Sequence, residues 1–451
     1  MTTQDTTTAA EPTLERTMGW GLLALYGLGS MLGAGIYGLV GRAAGLVGSA
    51  VWLAFVVAMC AAVLTGLAYA SLGSRYPRAG GAAYVVGRAF KLPMLSYVVG
   101  LSVVASGLTS MATGSRIIAE NLQVAFNWQG VPEILLAVGV LLFLAGLVFR
   151  GLRESMVVNA ICTFVEAGGL LLILVVGMRY WGQQDLLEIP VQADGAAVIL
   201  LFAQGATLTF FSFIGFEDTL NVSEEVKNPR VALPLGIIIA MTAATLIYVG
   251  VAITAVSVVP WQELSQQPAP LAAVMAKAAP WFPTIGFTAI TIFAVANTAL
   301  INFVMGSRLV YGMARQGLLP SKLGAVHPER RTPHFAILLL LVVIVLLALA
   351  GDVSQLAAAT VLLLLGVFTL MNIALIVLRR RPGEPQGAFE LPPIVPALGA
   401  LICFALLVTR ATTGDWVATA IAGVLVAAIS GLYFLRRKQI TLADDTPPPE
   451  L

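Results

Sequence analysis

Two carboxylates, Glu217 and Asp218, close an apolar run in FFSFIGFEDTLNVSEE, residues 210–225. Another, Glu166, stands inside a second run, eleven residues after Ser155 and fourteen before Tyr180. A third stretch carries no charge. GSMLGAGIYG, residues 29–38, sets Gly29, Gly33, Gly35 and Gly38 into an apolar run from Met18 to Val40. Glycine weakens a helix. A break in a helix leaves free amides on one stub and free carbonyls on the other. Free amides at a half-helix start attract an anion, helped by the macrodipole, and free carbonyls at a half-helix end attract a cation. A buried carboxylate is costly unless paired, hydrated or protonated.

One small molecule carries both charges on one carbon: an amino acid. The amides of Ala34, Gly35 and Ile36 suit its carboxylate. The carbonyls of Met31, Phe211 and Ile214 suit its ammonium. Ser212 and Gly215 complete the second break. Small residues also serve close helix packing. The matching break at Gly215 favours a ligand site instead.

The elements that must position these groups are membrane helices. The chain has 451 residues, of which 59% are hydrophobic and only 11% charged, about half the usual charged share of a soluble protein. Twelve apolar runs begin near Met18, Gly48, Pro93, Val131, Met156, Ala196, Ala232, Thr284, His334, Val353, Pro392 and Trp416. Each is close to the ~20 residues that cross a bilayer as a helix, and barrel strands are not expected. If the N-terminus is cytoplasmic, the inner side holds twenty lysines and arginines against four outside. That asymmetry places both termini in the cytoplasm of a cell (plasma or inner) membrane. The net charge of +2 calls for no nucleic-acid partner; membrane lipid is the expected surround.

The expected fold is an all-α integral membrane protein of twelve transmembrane helices. Helices 1 and 6 are broken, the second break lying five spans on from the first. Paired breaks at matching places point to an inverted repeat with the substrate between its halves. The division is a tail over 1–17, repeat 1 (helices 1–5) over 18–180 and repeat 2 (helices 6–10) over 196–378. Helices 11 and 12 follow over 391–436, then a tail over 437–451. Residues 1–15 do not read as a cleaved signal, and the final tail reads as disordered. Cys60, Cys162 and Cys403 lie in apolar runs and read as small buried hydrophobes. Glu224, Glu225 and Lys227 are expected to form local ion pairs.

The stretches GLGSMLGAGIYGLVG and FFSFIGFEDTLNVSEEVKNPRVALPLGI resemble the first- and sixth-helix signatures of the amino acid–polyamine–organocation (APC) superfamily. The likeness is nearest to its amino acid permeases and the cationic amino acid transporter-like branch. RLVYGMARQGLLPSKLGAVHPERRTPH, residues 308–334, fits as well. The resemblance implies the leucine-transporter fold, a 5+5 inverted repeat working by alternating access. It implies carboxylate binding at Gly33, Ala34 and Gly35, shielding of substrate by Phe211, and gating or proton linkage at Glu217. Many sodium-independent members carry a lysine in the fifth helix where this chain has Glu166. Three roles are open for Glu166. It carries the coupling proton, it binds a cation (sodium or a basic substrate nitrogen), or it bonds helix 1 or 8 while protonated.

Weaker candidates for substrate or cation contact are Ser106 and Ser110 in span three and Asn297 and Thr298, near Asn302, in span eight. In most such cases these residues bond across helices. The sequence offers no phosphate loop, metal-ligand cluster or paired nucleophile and base. No enzyme, metal or cofactor is therefore expected. The reading is a secondary active transporter of amino acids, proton-coupled or exchanging, with protons or sodium as partners. The alternatives are a sodium-coupled symporter, a polyamine or amine transporter and, remotely, an amino-acid-sensing receptor.

Overall fold

The computed structural model describes residue 16 and residues 18–77, 81–150, 156–190, 195–315, 319–330 and 332–437. The tails expected over 1–17 and 437–451 lie almost wholly outside them. Seventeen α-helices follow one another. They are α1 (Trp20–Met31), α2 (Ala34–Val47), α3 (Val51–Arg75), α4 (Gly81–Phe90), α5 (Pro93–Phe126) and α6 (Glu133–Phe149). Next are α7 (Met156–Gly177), α8 (Gly195–Phe210), α9 (Asp218–Asn221), α10 (Pro229–Val258), α11 (Trp261–Leu264) and α12 (Pro270–Ala278). Last are α13 (Thr284–Arg315), α14 (His334–Ala350), α15 (Val353–Arg380), α16 (Ile394–Thr413) and α17 (Trp416–Arg436).

No strand occurs among the described residues. One isolated bridge joins Met18 to Val226, where Met18 N donates to Glu225 O (3.0 Å) and Lys227 N to Met18 O (2.7 Å). The ion pairs expected of Glu225 and Lys227 do not form among the described residues, and the side chain of Glu224 lies outside them. Backbone bonds tie the segment to the start of α1. A backbone bridge pairs groups that cannot be left bare, whereas an exposed ion pair gains little.

Nine segments are long and apolar enough to cross a membrane among the described residues, and three shorter apolar helices (α1, α6 and α14) accompany them. Large apolar side chains face outward along these helices, among them Leu142, Phe143, Val175, Leu246, Leu346 and Val424. Water would penalise such a surface and lipid would not. Cys60 faces outward with them, whereas Cys162 and Cys403 are buried. Burial was the wrong expectation for Cys60, because a lipid-facing site is as apolar as a core.

The buried apolar side chains fall into two large clusters. One is built on α2, α3, α8 and α10, with Phe55, Phe210, Phe213 and Tyr248 near its centre. The other is built on α5, α6, α13, α14 and α17. Helix α15 feeds both, through Phe368 on one side and Leu356 on the other.

Candidate functional site

Helix α1 stops at Met31 and α2 starts at Ala34, with Leu32 extended (ψ 128°) and Gly33 at φ 156°, ψ −135°. The first bond of α2 runs from Tyr37 N to Gly33 O (3.2 Å). The amides of Ala34, Gly35 and Ile36 therefore precede the ladder and have no acceptor within the helix. The second interruption is longer. Helix α8 tightens into a 3₁₀ turn over Phe211–Phe213, Ile214 is extended (ψ 137°), and Gly215 takes φ 127°. A side chain rarely adopts that value, so glycine is required there. The stub beyond, α9, is only four residues long.

The two interruptions touch. A Cβ built on Gly35 would stand 2.4 Å from Ser212 Cα, and one built on Gly215 would stand 2.5 Å from Ser30 O. Backbone packs on backbone at both points because neither residue carries a side chain. Neighbouring helices hold the loosened carbonyls. The Tyr248 hydroxyl of α10 donates to Met31 O (2.7 Å), and the Thr298 hydroxyl of α13 donates to Leu32 O (3.1 Å). Ile214 N donates to Phe211 O (3.3 Å), so that carbonyl is partly engaged already.

Beside the breaks lies a cavity of about 50 Å³. Met31, Ala34 and Gly35 line it from the first break, together with Ser30. Phe211, Ile214, Gly215, Glu217 and Asp218 line it from the second. Ser106 and Ser110 close it from α5, and Thr298 and Asn302 from α13. Gly33, Ile36, Ser212, Glu166 and Asn297 do not line it. Val103, Gly107 and Ile301 do, and their only signal in the sequence is lying about a helical turn from polar neighbours. The Ser106 hydroxyl is turned away, donating to Val103 O (2.7 Å).

Two acids are buried near this space, in different ways. Glu217 is 7% exposed, and its Oε2 accepts from Gly215 N (2.8 Å). The carboxylate thus closes over the break that carries it. Glu166 is fully buried on α7. Its Oε1 accepts from Asn297 Nδ2 (3.0 Å), while its Oε2 has no partner among the described residues. Its backbone carbonyl accepts from the Tyr37 hydroxyl (2.7 Å). Tyr37 follows directly on the three free amides of α2, so α2 and Glu166 are mechanically joined. No group of three or more metal-ligating side chains occurs among the described residues.

Further along α2, Arg42 pairs with Glu120 on α5 (2.5 Å). Arg116 on α5 pairs with Glu133 (2.8 Å) and caps the end of α14 through Ala348 O (3.0 Å). The Arg42–Glu120 pair ties the second half of the broken first helix to α5, and the Arg116 bonds join α5 to the start of α6 and the end of α14.

Residues 19–431 match the amino acid permease family model. The chain belongs to the amino acid permease family. It is therefore an integral membrane permease and not an enzyme, as the sequence resemblance to the APC superfamily implied. Among its relatives, a methylthioribose transporter of Bacillus subtilis is 29% identical over 86% of this chain and 87% of its own. A branched-chain amino acid permease of the same organism is 29% identical over 95% of the permease described here and 94% of its own length. Cationic amino acid transporter 4 of Mus musculus is 30% identical over 84% of this chain and 62% of its own.

Proposed function

We propose that this permease is a secondary active carrier of amino acids that works by alternating access across the cell membrane, with both termini cytoplasmic. In this reading the segments form twelve spans: a 5+5 inverted repeat with broken helices 1 and 6, then helices 11 and 12. The observation that carries it is the meeting of two helix interruptions at one cavity. A carboxylate sits on the amides of Ala34, Gly35 and Ile36. The ammonium faces Ile214 O, the open lone pair of Met31 O and Glu217. Phe211 covers the substrate. Hydrogen bonds from backbone to an ionised ligand are the strong kind, about 1.5–3 kcal/mol each.

The two apolar clusters support a two-body motion. The body of α1–α3, α8 and α10 rocks against that of α5, α6, α13 and α14. Glu166 carries the coupling proton. Its bond to Asn297 of α13 and the Tyr37 link to the binding amides support that role. The branched-chain and cationic relatives favour a carboxylated substrate. The methylthioribose relative is the reason to include an uncharged thiosugar among the competitors.

The test is uptake into proteoliposomes containing the purified permease. Labelled amino acids are offered with an inward proton gradient, with a sodium gradient, or with an unlabelled amino acid inside. Uptake that follows the proton gradient or internal amino acid supports the proposal. Uptake that rises only with sodium selects a sodium symporter. Accumulation of thiosugar or polyamine without any amino acid would overturn the substrate assignment.

A further inference from the structure

Away from the substrate cavity, the loop between α15 and α16 folds over a second, polar hollow of about 410 Å³. Arg75, Arg379, Arg381, Glu384 and Glu390 line it. Arg75 is the last residue of α3, and Arg88 stands on the short helix α4. Four guanidinium groups thus meet two carboxylates. Glu384 is used by Arg88 (2.7 Å) and by the Tyr76 hydroxyl (2.8 Å). Glu390 is used by Arg75 (2.6 Å) and, loosely, by Arg379 (3.5 Å). Arg381 is spent largely on the carbonyls of Arg88 (2.7 Å) and Ala89 (2.8 Å).

Two donors are left over. Arg75 has a side chain only 5% exposed, yet its Nε is buried without a partner. Arg379 Nη1 is likewise buried and unpartnered. A buried charged donor without an acceptor is expensive. The positive excess, the hollow and the two idle nitrogens call for one more acceptor of negative charge. Gly387 presses the loop on Arg75 so closely that a Cβ there would stand 2.9 Å from Arg75 Cγ.

We propose that this hollow is a binding site for a phosphate group, held by Arg75 and Arg379. The planar guanidinium fork matches phosphate oxygens in pairs. The group comes from the headgroup of an anionic lipid at the membrane surface or from a soluble phosphate. Occupied, it ties α3 and α15 to the connecting loop.

The test uses the full-length permease in neutral detergent and follows thermal unfolding and native mass. Phosphatidylglycerol, phosphatidylcholine and inorganic phosphate are titrated separately at constant ionic strength. The site predicts stabilisation and retained adducts with phosphatidylglycerol but not phosphatidylcholine if the source is lipid. It predicts stabilisation by millimolar inorganic phosphate if the source is soluble. In Arg379→Gln the midpoint concentration should rise at least tenfold. Arg379 meets Glu390 only across 3.5 Å, so this variant should fold. Arg380→Gln, next to it and outside the hollow's lining, should leave the midpoint unchanged. Absence of any response to both phosphatidylglycerol and phosphate in the native chain overturns the proposal. So does an equal loss in the two variants.

Discussion

Gly35→Ala adds one carbon where none fits. The new Cβ would stand 2.4 Å from Ser212 Cα, 2.5 Å from its Oγ and 2.8 Å from its Cβ. Ordinary contact begins near 3.4 Å, so the two breaks must part by about 1 Å. Ser212 cannot step aside by rotating its side chain, because the nearest atom is backbone. Overpacking of this kind costs about 1–3 kcal/mol of stability. The larger effect falls on binding. The amides of Ala34, Gly35 and Ile36 move with the helix start, and about 1 Å takes a 2.9 Å hydrogen bond out of range. Loss of one charge-assisted bond is about 1.5–3 kcal/mol, so affinity falls about 10- to 150-fold. The assay is equilibrium binding of a labelled amino acid to the purified carrier, beside a melting curve. Gly139→Ala is the control, since nothing stands within 4 Å of the Cβ it would add. Native affinity in Gly35→Ala, with a normal melting curve, would refute the placement of the carboxylate.

Glu166→Gln keeps a side chain that can bond Asn297 but cannot release a proton; uptake should lose its pH dependence while substrate binding persists, and an unchanged pH profile in proteoliposomes rejects the proton role. Tyr248→Phe removes the donor to Met31 O and should destabilise the fold by about 1–3 kcal/mol in a thermal melt; no change would mean that water replaces the hydroxyl freely. The Glu390 carboxyl is held below its ordinary value of 4.5: burial works to raise it, but Arg75, the Gly387 amide and Arg379 outweigh that. Its folded-state value is thus depressed, so its contribution is complete above the usual carboxylate range and disappears as pH falls through the folded value. The native permease should therefore lose stability below about pH 4.5, and Glu390→Gln should show a flatter acid limb in melts from pH 7 to pH 3.5.

Much of this arrangement was legible in the sequence because the bilayer allows few solutions. Helix starts at Pro93, Met156, Thr284, His334, Val353 and Trp416 coincide with the onset of the apolar runs. Both breaks were legible from glycine set against apolar surroundings, a pattern with no packing reason to recur twice. What escaped depended on which neighbour each group meets. Tyr248 is one aromatic among many in its run, and only the fold reveals that its hydroxyl holds Met31 O. Glu166 was legible as a misplaced charge, but its partner Asn297 is 131 positions away. The four-residue length of α9 was not legible either, because the acids and the Asn221–Val222 turn that end it suit a helix start equally well. Arg379 and Arg381 bind a loop whose acids lie only a few residues further on, a pairing that the run of three arginines does not announce.

In the proposed binding mode, backbone groups at two touching breaks grip both charges of an amino acid. The direct measurement is calorimetric binding of the best amino acid from a thermal-shift panel, compared with its decarboxylated amine and its deaminated acid. Each analogue keeps the side chain and lacks one charged group. The account predicts that both bind at least tenfold more weakly than the parent. An amine that binds as tightly as the amino acid would leave the amides of Ala34, Gly35 and Ile36 without a ligand and contradict it.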